Sequence, residues 1–590
     1  MGDLTNQAER VRYEALRTQL ALERASFEPQ WRDALDLTSP TRARFCLGEG
    51  NRGDRRNQKI LDSHGSMASR TLSAGLMSGV TSPARPWFKL TTSDPDLAEF
   101  SRVKNWLSAV SDRMRTLMLK SNLYNTLPAV YKDLGDVGTA PFIVEEDFRT
   151  VFRTQSFAPG SYYIAKDYRG KVNVFFREFR MTVRNVVHMF AVDRITNKID
   201  WKNVSPTVKN LWDQQQYEQW IDICHVIEPN EFYNPALADR NNKFKKFKSV
   251  YYERGTTSAA KNYSSSIDPN VMLRRGGYDY FPVLCPRWSV TNEDAYATDC
   301  PGFTALGDLR QLMWSQKRKA EAIEKKVRPP MVAPTKMKTQ RVSILPSDIT
   351  YVDTDGGSLP SFRPAFNVVF DIRELAEDIA QVKQAISRAY YEDLFFAITE
   401  LDRRQVTARE IDERREEKLL ALGPVYEQLN QDQNDDLIDI VYALMEKQGE
   451  FEGSLKPPEE LEGQDLKVEY VSIMAQAQKL IGVSSIERFS GFVEGIAGYD
   501  QSVLDKINND ELVEVYGDAL SINPKIIRSQ DDVDQMRQQR AEAQQQAQRA
   551  QQAQQSAMAV KNLAQAPIEN DNALGQILDF AQAGAGAQVA

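Results

Sequence analysis

The stretch NLYNTLPAVYKDLGDVGTAPFIVEED (122–147) places a helical pattern directly before a strand pattern. After a break at Ser121-Asn122, the run LPAVYKDLG predicts a helix that ends at Gly135. The period then changes, and FIVEED (142–147) predicts a strand. Three similar runs follow, at 150–157, 161–167 and 172–179, and residues 168–171 predict the turn of a hairpin. The stretch therefore indicates an α+β fold.

Helices dominate the rest of the chain, so the fold class is α+β, mainly α. Helices are predicted at 7–37, 60–80, 97–120, 303–328, 368–402, 407–424, 426–449, 500–516 and 529–566. Residues 182–222 are predicted to be mostly helical, 221–252 and 278–290 to return to strand, and 254–277 to form a loop. Thr407 and Glu410 form a capping box, and Gly423-Pro424 predicts the end of that helix.

Several helices carry apolar residues at steps of three and four. The clearest seam is Ile372, Leu375, Ile379, Val382, Ile386 and Ala389. A narrow seam of this kind is common in the core of a single fold. Repeated on long helices beside a β-rich region, it also suits packing between identical subunits. Both interpretations remain open at this point.

Composition and motifs argue against an enzyme. The 590 residues include only 3 His and 4 Cys, in no spacing typical of a zinc site or a disulfide framework. The basic loop 48–59 lacks the Gly-Lys-Ser/Thr end of a Walker motif, and GxSxG and HExxH are absent. We therefore expect no catalytic residues, no metal and no cofactor, although a nuclease built from scattered carboxylates leaves no motif.

The charge distribution is uneven. The chain has 74 basic and 82 acidic side chains and a net charge of -8, which disfavours a general nucleic-acid coat. Residues 240–275 and 317–341 each carry nine bases and two acids, whereas 431–470 carry twelve acids and three bases. Such blocks are either solvated faces or contact zones. No apolar run is long enough to span a membrane, and the N-terminus has no signal-peptide core.

Four segments, taken in order, carry a resemblance to a known family. They are ASRTLSAGLMSGVTSPARPWFKL (68–90), the stretch 122–147, GKVNVFFREFRMT (170–182) and VTAREIDERREEKLLALGPVYEQL (406–429). Together they resemble the head-to-tail connector, or portal, proteins of short-tailed bacteriophages. The matching segments run from near the N-terminus to about residue 530.

The resemblance implies a ring, a dodecamer in this family, around an axial channel at one capsid vertex. Double-stranded DNA would enter through the channel during packaging and leave through it at ejection. The implied partners are the terminase large subunit, tail adaptor and tail tube proteins, and the major capsid and scaffolding or internal core proteins. The protein would be assembled in the host cytoplasm and reside in the virion, with no membrane contact. The ATPase would belong to the terminase, which agrees with the missing Walker motif.

The resemblance also implies a division of the chain into a wing, a stem, a clip and a crown. Its regions would be 1–102 (wing helices), 103–139 (wing-to-stem helices with the first stem helix), 140–302 (β-rich, containing the clip and an insertion), 303–328 (second stem helix), 329–367 (tunnel-proximal element), 368–525 (wing and crown helices), 526–566 (Gln/Ala-rich barrel helix) and 567–590 (flexible tail).

Two groups of residues are candidate sites. Lys336, Lys338 and Arg341 are candidate basic positions in the DNA channel, with ordinary exposed loop cations as the alternative. A triple Ala variant that packages and retains DNA normally would contradict the channel role. Leu375, Ile379, Val382 and Ile386 are candidate subunit-packing residues, and Ile379→Asp should then leave monomers or broken rings. The rival assignments are another helical scaffold or structural virion protein, and the carboxylate-metal nuclease.

Overall fold

The computed structural model describes most of the chain and divides it into two compact units, Met1–Phe492 and Val493–Ala590. The described residues are 6–45, 56–94, 97, 100–193, 197–238, 240–254, 272–291, 293–327, 331–332, 363–364, 372–395, 422–451, 453–461, 466–471, 489–493, 495–496, 499, 508, 510–513 and 530–564.

The chain contains both helices and small β-sheets, which confirms the α+β class. The α-helices are α1 (Asn6–Ala25), α2 (Glu28–Thr38), α3 (His64–Gly79), α4 (Ser101–Lys120), α5 (Leu123–Val137), α6 (Val183–Val186), α7 (Pro206–Asp213), α8 (Pro235–Ala238), α9 (Pro301–Thr304), α10 (Leu306–Val327), α11 (Ile372–Ala389), α12 (Gly423–Leu429), α13 (Asp435–Lys447) and α14 (Gln530–Ala564). Two π-helical turns, Val187–Ala191 and Asn430–Asn434, follow α6 and α12 directly. Short 3₁₀ turns lie at Arg56–Lys59, Trp201–Asn203, Asn242–Phe244, Gly453–Leu455 and Glu459–Leu461.

All strand pairs are antiparallel. The strands are β1 (Phe88–Thr92), β2 (Phe142–Asp147), β3 (Val151–Ser156), β4 (Tyr162–Lys166), β5 (Val172–Thr182), β6 (Trp220–Pro229), β7 (Phe247–Glu253), β8 (Arg274–Tyr278), β9 (Val283–Leu284), β10 (Met331–Val332), β11 (Arg363–Pro364) and β12 (Leu466–Tyr470). A five-stranded meander runs β4-β5-β6-β7-β8, and a smaller sheet runs β3-β2-β9. The pairs β1-β12 and β10-β11 join segments that are distant in sequence.

The main core lies between the helices and the β3-β2-β9 sheet. It combines apolar side chains of α3, α4, α5, α11 and α13 with those of β2 and β3. A separate cluster packs Tyr13 and Leu20 of α1 against Phe176, Val226 and Tyr252 of the five-stranded sheet. Because α1 covers part of that sheet, the N-terminal segment is part of the fold.

The end of α5 differs from the predicted one. Gly135 lies inside the helix, and α5 continues to Val137. Gly138 then closes it with φ 76°, a left-handed conformation that a residue without Cβ adopts readily. Leu134 and Val137 are fully buried, so packing carries the helix past the first glycine.

Other predicted boundaries were also wrong. The single helix predicted at 7–37 is two helices, because the chain turns at Ser26-Phe27 between α1 and α2. Gly423 and Pro424 begin α12, where Pro fits the first helical turn, and the helix predicted before them lies almost wholly outside the described residues. The stretch 182–222 contains only short helical pieces, and β8 begins inside the predicted loop 254–277.

Three predictions were confirmed closely. Strands β2 to β5 lie where the patterns placed them, and the hairpin turn contains Gly170 at φ 83°. Helix α10 covers the predicted 303–328 after the short helix α9. Helix α14 lies within the predicted 529–566, and its described side chains are nearly all exposed. A helix that is polar on every side needs neighbours if it is to be stable.

Candidate channel and subunit-contact surfaces

Helices α10 and α11 form a hairpin, which we call the helical arm. They pack against each other, and the β10-β11 pair joins the chain between them. At the root of the arm, Leu309 and Leu312 of α10 and Ile386 of α11 are fully buried. At the far end, Ile323 is 40% exposed and Val327 is 72% exposed. The root therefore belongs to the core, and the far end lies in solvent in the single chain.

Asp62 joins both helices of the arm to the segment before α3. Its carboxylate accepts hydrogen bonds from Gln316 Nε2 and Lys383 Nζ, each at 2.7 Å. Nearby, His64 Nε2 lies 2.9 Å from the Lys383 carbonyl and 3.0 Å from Ser387 Oγ. Burial alone would raise the pKa of Asp62, but the hydrogen bonds from Lys383 and from the His64 backbone lower it below its usual value. The carboxylate is thus held ionised where the arm leaves the core.

The far half of α10 carries a positive surface. Residues 317–327 include five basic and two acidic side chains. The unpaired lysines, judged on the part of the chain that the structure describes, are Lys317, Lys319, Lys325 and Lys326. The Arg318 guanidinium lies over the ring of Trp314, 4.1 Å from its centroid, and Trp314 is 59% exposed. Such a surface attracts phosphate or an acidic protein face.

The predicted subunit-packing residues lie on the arm. Ile379, Val382 and Ile386 are 5%, 6% and 0% exposed within one chain, where they face the core. Leu375 is only partly buried, one turn closer to the far end. Packing within the chain accounts for the apolar character of Ile379, Val382 and Ile386. A role of the seam between subunits stays a prediction. Leu375 is the member that still offers exposed surface.

Five other predicted site residues lie outside the described residues. Lys336, Lys338 and Arg341 fall between β10 and β11, and the capping pair Thr407 and Glu410 falls between α11 and α12. Met331 pairs with Pro364 and Val332 with Arg363, so the described residues on either side of the first group lie next to each other.

The acidic block 431–470 is paired in part inside the chain. Four of its twelve acidic side chains form ion pairs among the described residues: Asp432 binds Arg287, Asp436 binds Lys171, Glu450 binds Arg113 and Glu460 binds Arg102. The basic block 240–275 is likewise bound in part, since Lys248 and Arg275 both contact Glu9 of α1. Some of the charge in both blocks therefore joins one element of the fold to another.

The Arg287–Asp432 pair is the most buried of these contacts. Arg287 Nε and Nη2 donate to the two Asp432 oxygens at 2.9 Å each, and Nη2 also donates to the Gly170 carbonyl at 3.1 Å. Arg287 is 3% and Asp432 9% exposed. The pair connects the β4-β5 hairpin to the π-helical turn 430–434. The two residues are 145 positions apart, and no local sequence pattern signals their pairing.

Two further carboxylates are buried in α5. Arg42 Nε donates to Asp133 Oδ1 at 3.0 Å, and Ser39 Oγ donates to Asp136 Oδ2 at 2.6 Å. Burial raises the pKa of Asp133 to about 6, against the opposing effect of Arg42. Burial also raises the pKa of Asp136. Since Tyr390 after α11 lies 3.4 Å from Asp136, this cluster joins α2, α5 and the root of the arm.

Across the stretches that the structure describes, no group of three or more His, Cys, Asp or Glu side chains is placed to hold a metal ion. The described helices include none that is both long and apolar enough to cross a bilayer.

Comparison with known proteins gives one consistent result. A family model described as "Bacteriophage head to tail connecting protein" matches residues 10–527. The portal protein of Salmonella phage epsilon15 is 41% identical over 565 residues, which is 96% of this chain and 97% of that protein. The probable portal protein of Bordetella phage BPP-1 is 39% identical over 564 residues, 95% of this chain and 96% of its own length.

Proposed function

The chain belongs to the family of bacteriophage head-to-tail connecting proteins, and we propose that its copies form a ring around an axial channel at one capsid vertex. The terminase moves DNA inward through this channel, DNA leaves through it at ejection, and tail proteins attach to its outer end. The observation that carries the proposal is the extent of the match, which covers residues 10–527 and almost all of two portal relatives.

The regions of the chain follow from this proposal. Residues 103–139 contain the first stem helix and 303–328 the second, and the β-rich 140–302 between them contains the clip. The segment 329–367 approaches the channel at the end of the arm. Residues 1–102 and 368–525 form the wing and crown, and α14 belongs to a barrel helix at 526–566. The β10-β11 pair, which places Met331 beside Pro364, supports the assignment of 329–367 to one element.

Neighbouring copies pack through the far end of the arm. Two apolar side chains of α10, Ile323 and Val327, are 40% and 72% exposed, and Leu375 of α11 is partly exposed beside them. A two-helix hairpin cannot enclose its own apolar seam, whereas a third helix from the next copy can. Packing there would also bring the far ends of the arms together around one axis.

DNA slides through the ring because only a few cations contact it. Each phosphate that a Lys or Arg neutralises strengthens binding by counterion release, so a continuously basic lining would hold DNA in place. Lys336, Lys338 and Arg341 supply a few basic positions in the segment between β10 and β11. The lysines Lys325 and Lys326 at the end of α10 lie on the path to that segment.

Negative-stain electron microscopy of the purified full chain tests the proposal. A ring with a central hole is the expected image, and native mass spectrometry should give one closed subunit number. Fibres or shells without a hole would favour another helical scaffold or structural protein. DNA cleavage that depends on a divalent metal, with no ring, would favour the nuclease.

A further inference from the structure

Two β-hairpin turns present the same chemistry at their apices. Asp147-Phe148-Arg149-Thr150 joins β2 to β3, and Asp167-Tyr168-Arg169-Gly170 joins β4 to β5. We call them the Asp147 turn and the Asp167 turn. Phe148 is 82% and Tyr168 89% exposed, and the Arg beside each ring is exposed as well. Aromatic and Arg side chains supply much of the binding energy at protein interfaces.

In both turns the carboxylate is used by the turn itself. Asp147 Oδ2 accepts hydrogen bonds from Thr150 N at 3.1 Å and Thr150 Oγ1 at 2.8 Å. Asp167 Oδ1 accepts from the backbone N–H groups of Arg169 and Lys171, both at 2.9 Å. The hydrogen bond from the Thr150 hydroxyl holds the pKa of Asp147 below its usual value. What each turn offers a partner is therefore a ring and a guanidinium group.

Both turns are fixed to the same helix, α13. Lys171, next to the Asp167 turn, binds Asp436 at 2.6 Å near the start of that helix. Glu146, next to the Asp147 turn, binds Lys447 at 2.6 Å at its end. At the rise of an α-helix, these two anchor positions lie about 16 Å apart. Both turns therefore contact one helix through partly exposed ion pairs, and strands β2 and β3 also pack against that helix.

The Asp147 turn is also held in a strained conformation. Val151, which closes it, has φ 70°, a region that β-branched residues rarely adopt. Gln448 Nε2, just beyond α13, donates to the Val151 carbonyl at 3.2 Å and helps to hold it there. Strained residues persist where the surrounding structure fixes them, and they concentrate at binding surfaces. A turn fixed in this way loses little conformational freedom when a partner binds.

We propose that the two turns form one docking surface for another protein of the phage particle, with an acidic face and one apolar pocket for each ring. The two exposed guanidinium groups select an acidic partner, because charge complementarity favours it over a neutral one. This inference rests on the proposed function, since it assumes that the chain assembles into a particle with other proteins.

Two other occupants fit the surface less well. Closed duplex DNA offers no exposed base faces, so two rings would find nothing to stack on. A second copy of the chain carries its densest acidic block at 431–470, and there four of the twelve acidic side chains, Asp432, Asp436, Glu450 and Glu460, are already bound to the copy's own cations. A different protein therefore fits better than a second copy, and ring formation by the variants below separates the two.

Complementation of a phage that lacks this gene tests the docking surface. The variant Phe148→Ser/Tyr168→Ser should keep the fold of the single chain, because both side chains are exposed in it, and it should form rings if the surface binds a different protein. Loss of one interface hot spot lowers affinity about 30-fold, and the plaque titre should fall as a result. Electron microscopy should show particles halted where one protein joins, as heads without DNA or without tails. Arg149→Glu/Arg169→Glu should halt them at the same step.

Two controls belong to this experiment. Phe148→Tyr/Tyr168→Phe keeps both rings and should keep the titre, and Tyr499→Ser removes a ring that is 97% exposed elsewhere and should be silent. An unchanged titre with the double Ser variant overturns the proposal. Broken rings would assign the surface to a second copy, and complete particles that only lose DNA would assign it to DNA. Failure of the unaltered chain to form rings would instead refute the proposed function.

Discussion

The buried pair of Arg287 and Asp432 gives a direct test of how the β-rich region is held to the helices after residue 422. In Arg287→Met, the Asp432 carboxylate stays buried and keeps only the hydrogen bond from Gln428 Nε2 at 2.9 Å. Removing one partner of a buried ion pair costs about 3–5 kcal/mol. The variant Asp432→Leu should cost a similar amount, because Arg287 then keeps only the Gly170 carbonyl.

The double variant Arg287→Met/Asp432→Leu should lower the free energy of unfolding by much less than the sum of the two single variants. It leaves no buried charge, and the unpaired groups that remain are the Gln428 amide and the Gly170 carbonyl. Each unpaired group costs about 1–3 kcal/mol, and the new apolar contacts offset part of this. The coupling energy of the cycle should therefore reach several kcal/mol, more than an exposed pair provides.

Hydrogen exchange is the assay, because it reports local opening in a long chain. In Arg287→Met, amides of 167–171 and 430–434 should exchange roughly 150- to 4,000-fold faster. The control is Lys171→Met, which breaks an ion pair whose partners are 54% and 28% exposed and should change exchange less than tenfold. The reasoning would be refuted if the free-energy changes of the two single variants were additive in the double variant. It would also be refuted if amide exchange were no faster in Arg287→Met than in Lys171→Met.

Three further predictions concern titration, packing and assembly. The pKa of Asp133 is about 6 in the native state and near 4 in the unfolded state. Between these pH values the native state therefore binds more protons than the unfolded state. The free energy of unfolding should fall as pH rises through this range. Asp133→Asn should flatten that part of a plot of melting temperature against pH, and an unchanged slope would contradict the assignment. Gly302→Ala places a Cβ 2.3 Å from a backbone oxygen of α5 and should destabilise by about 1–3 kcal/mol, whereas Gly307→Ala meets nothing within 4 Å and should be neutral or stabilising in thermal melting. Val327→Asp should break rings in native mass spectrometry without lowering the melting temperature of the single chain. Ile386→Asp, in the core, should instead unfold the chain. Intact rings with Val327→Asp would show that the far end of the arm does not join neighbouring copies.

Elements with strong local signals could be predicted from the sequence. The strands β2 to β5 alternate or run apolar between turn residues, and the turn at 168–171 contains the Gly170 that a positive φ favours. Helix α14 follows from Ala and Gln propensity alone. In each case the determinant lies within a few residues of the element, so no tertiary information was needed.

Boundaries set by packing could not be predicted. Gly135 is the residue type typical of a helix C-terminus, yet α5 continues to Gly138 because Leu134 and Val137 are buried in the core. The seam of α11 shows the same limit in the candidate site. Its spacing predicts an apolar face, but such a face could pack either against the core at the root of the arm or against a neighbouring subunit. Only the exposed fraction of each side chain separates Ile386, in the core, from Leu375, near the far end.

The charge of the channel cannot be inferred from the net charge of -8. Four of the twelve acidic side chains in the block 431–470 are bound within the chain, so part of its negative charge is already neutralised there. The far end of α10 has the opposite sign, with five basic side chains against two acidic ones. A ring multiplies that excess by the number of copies, and counterion release would then make DNA stick. If the arms line the channel, acidic side chains of neighbouring copies would have to neutralise most of these lysines for DNA to slide. Weakening the contact between arms should then also slow the passage of DNA.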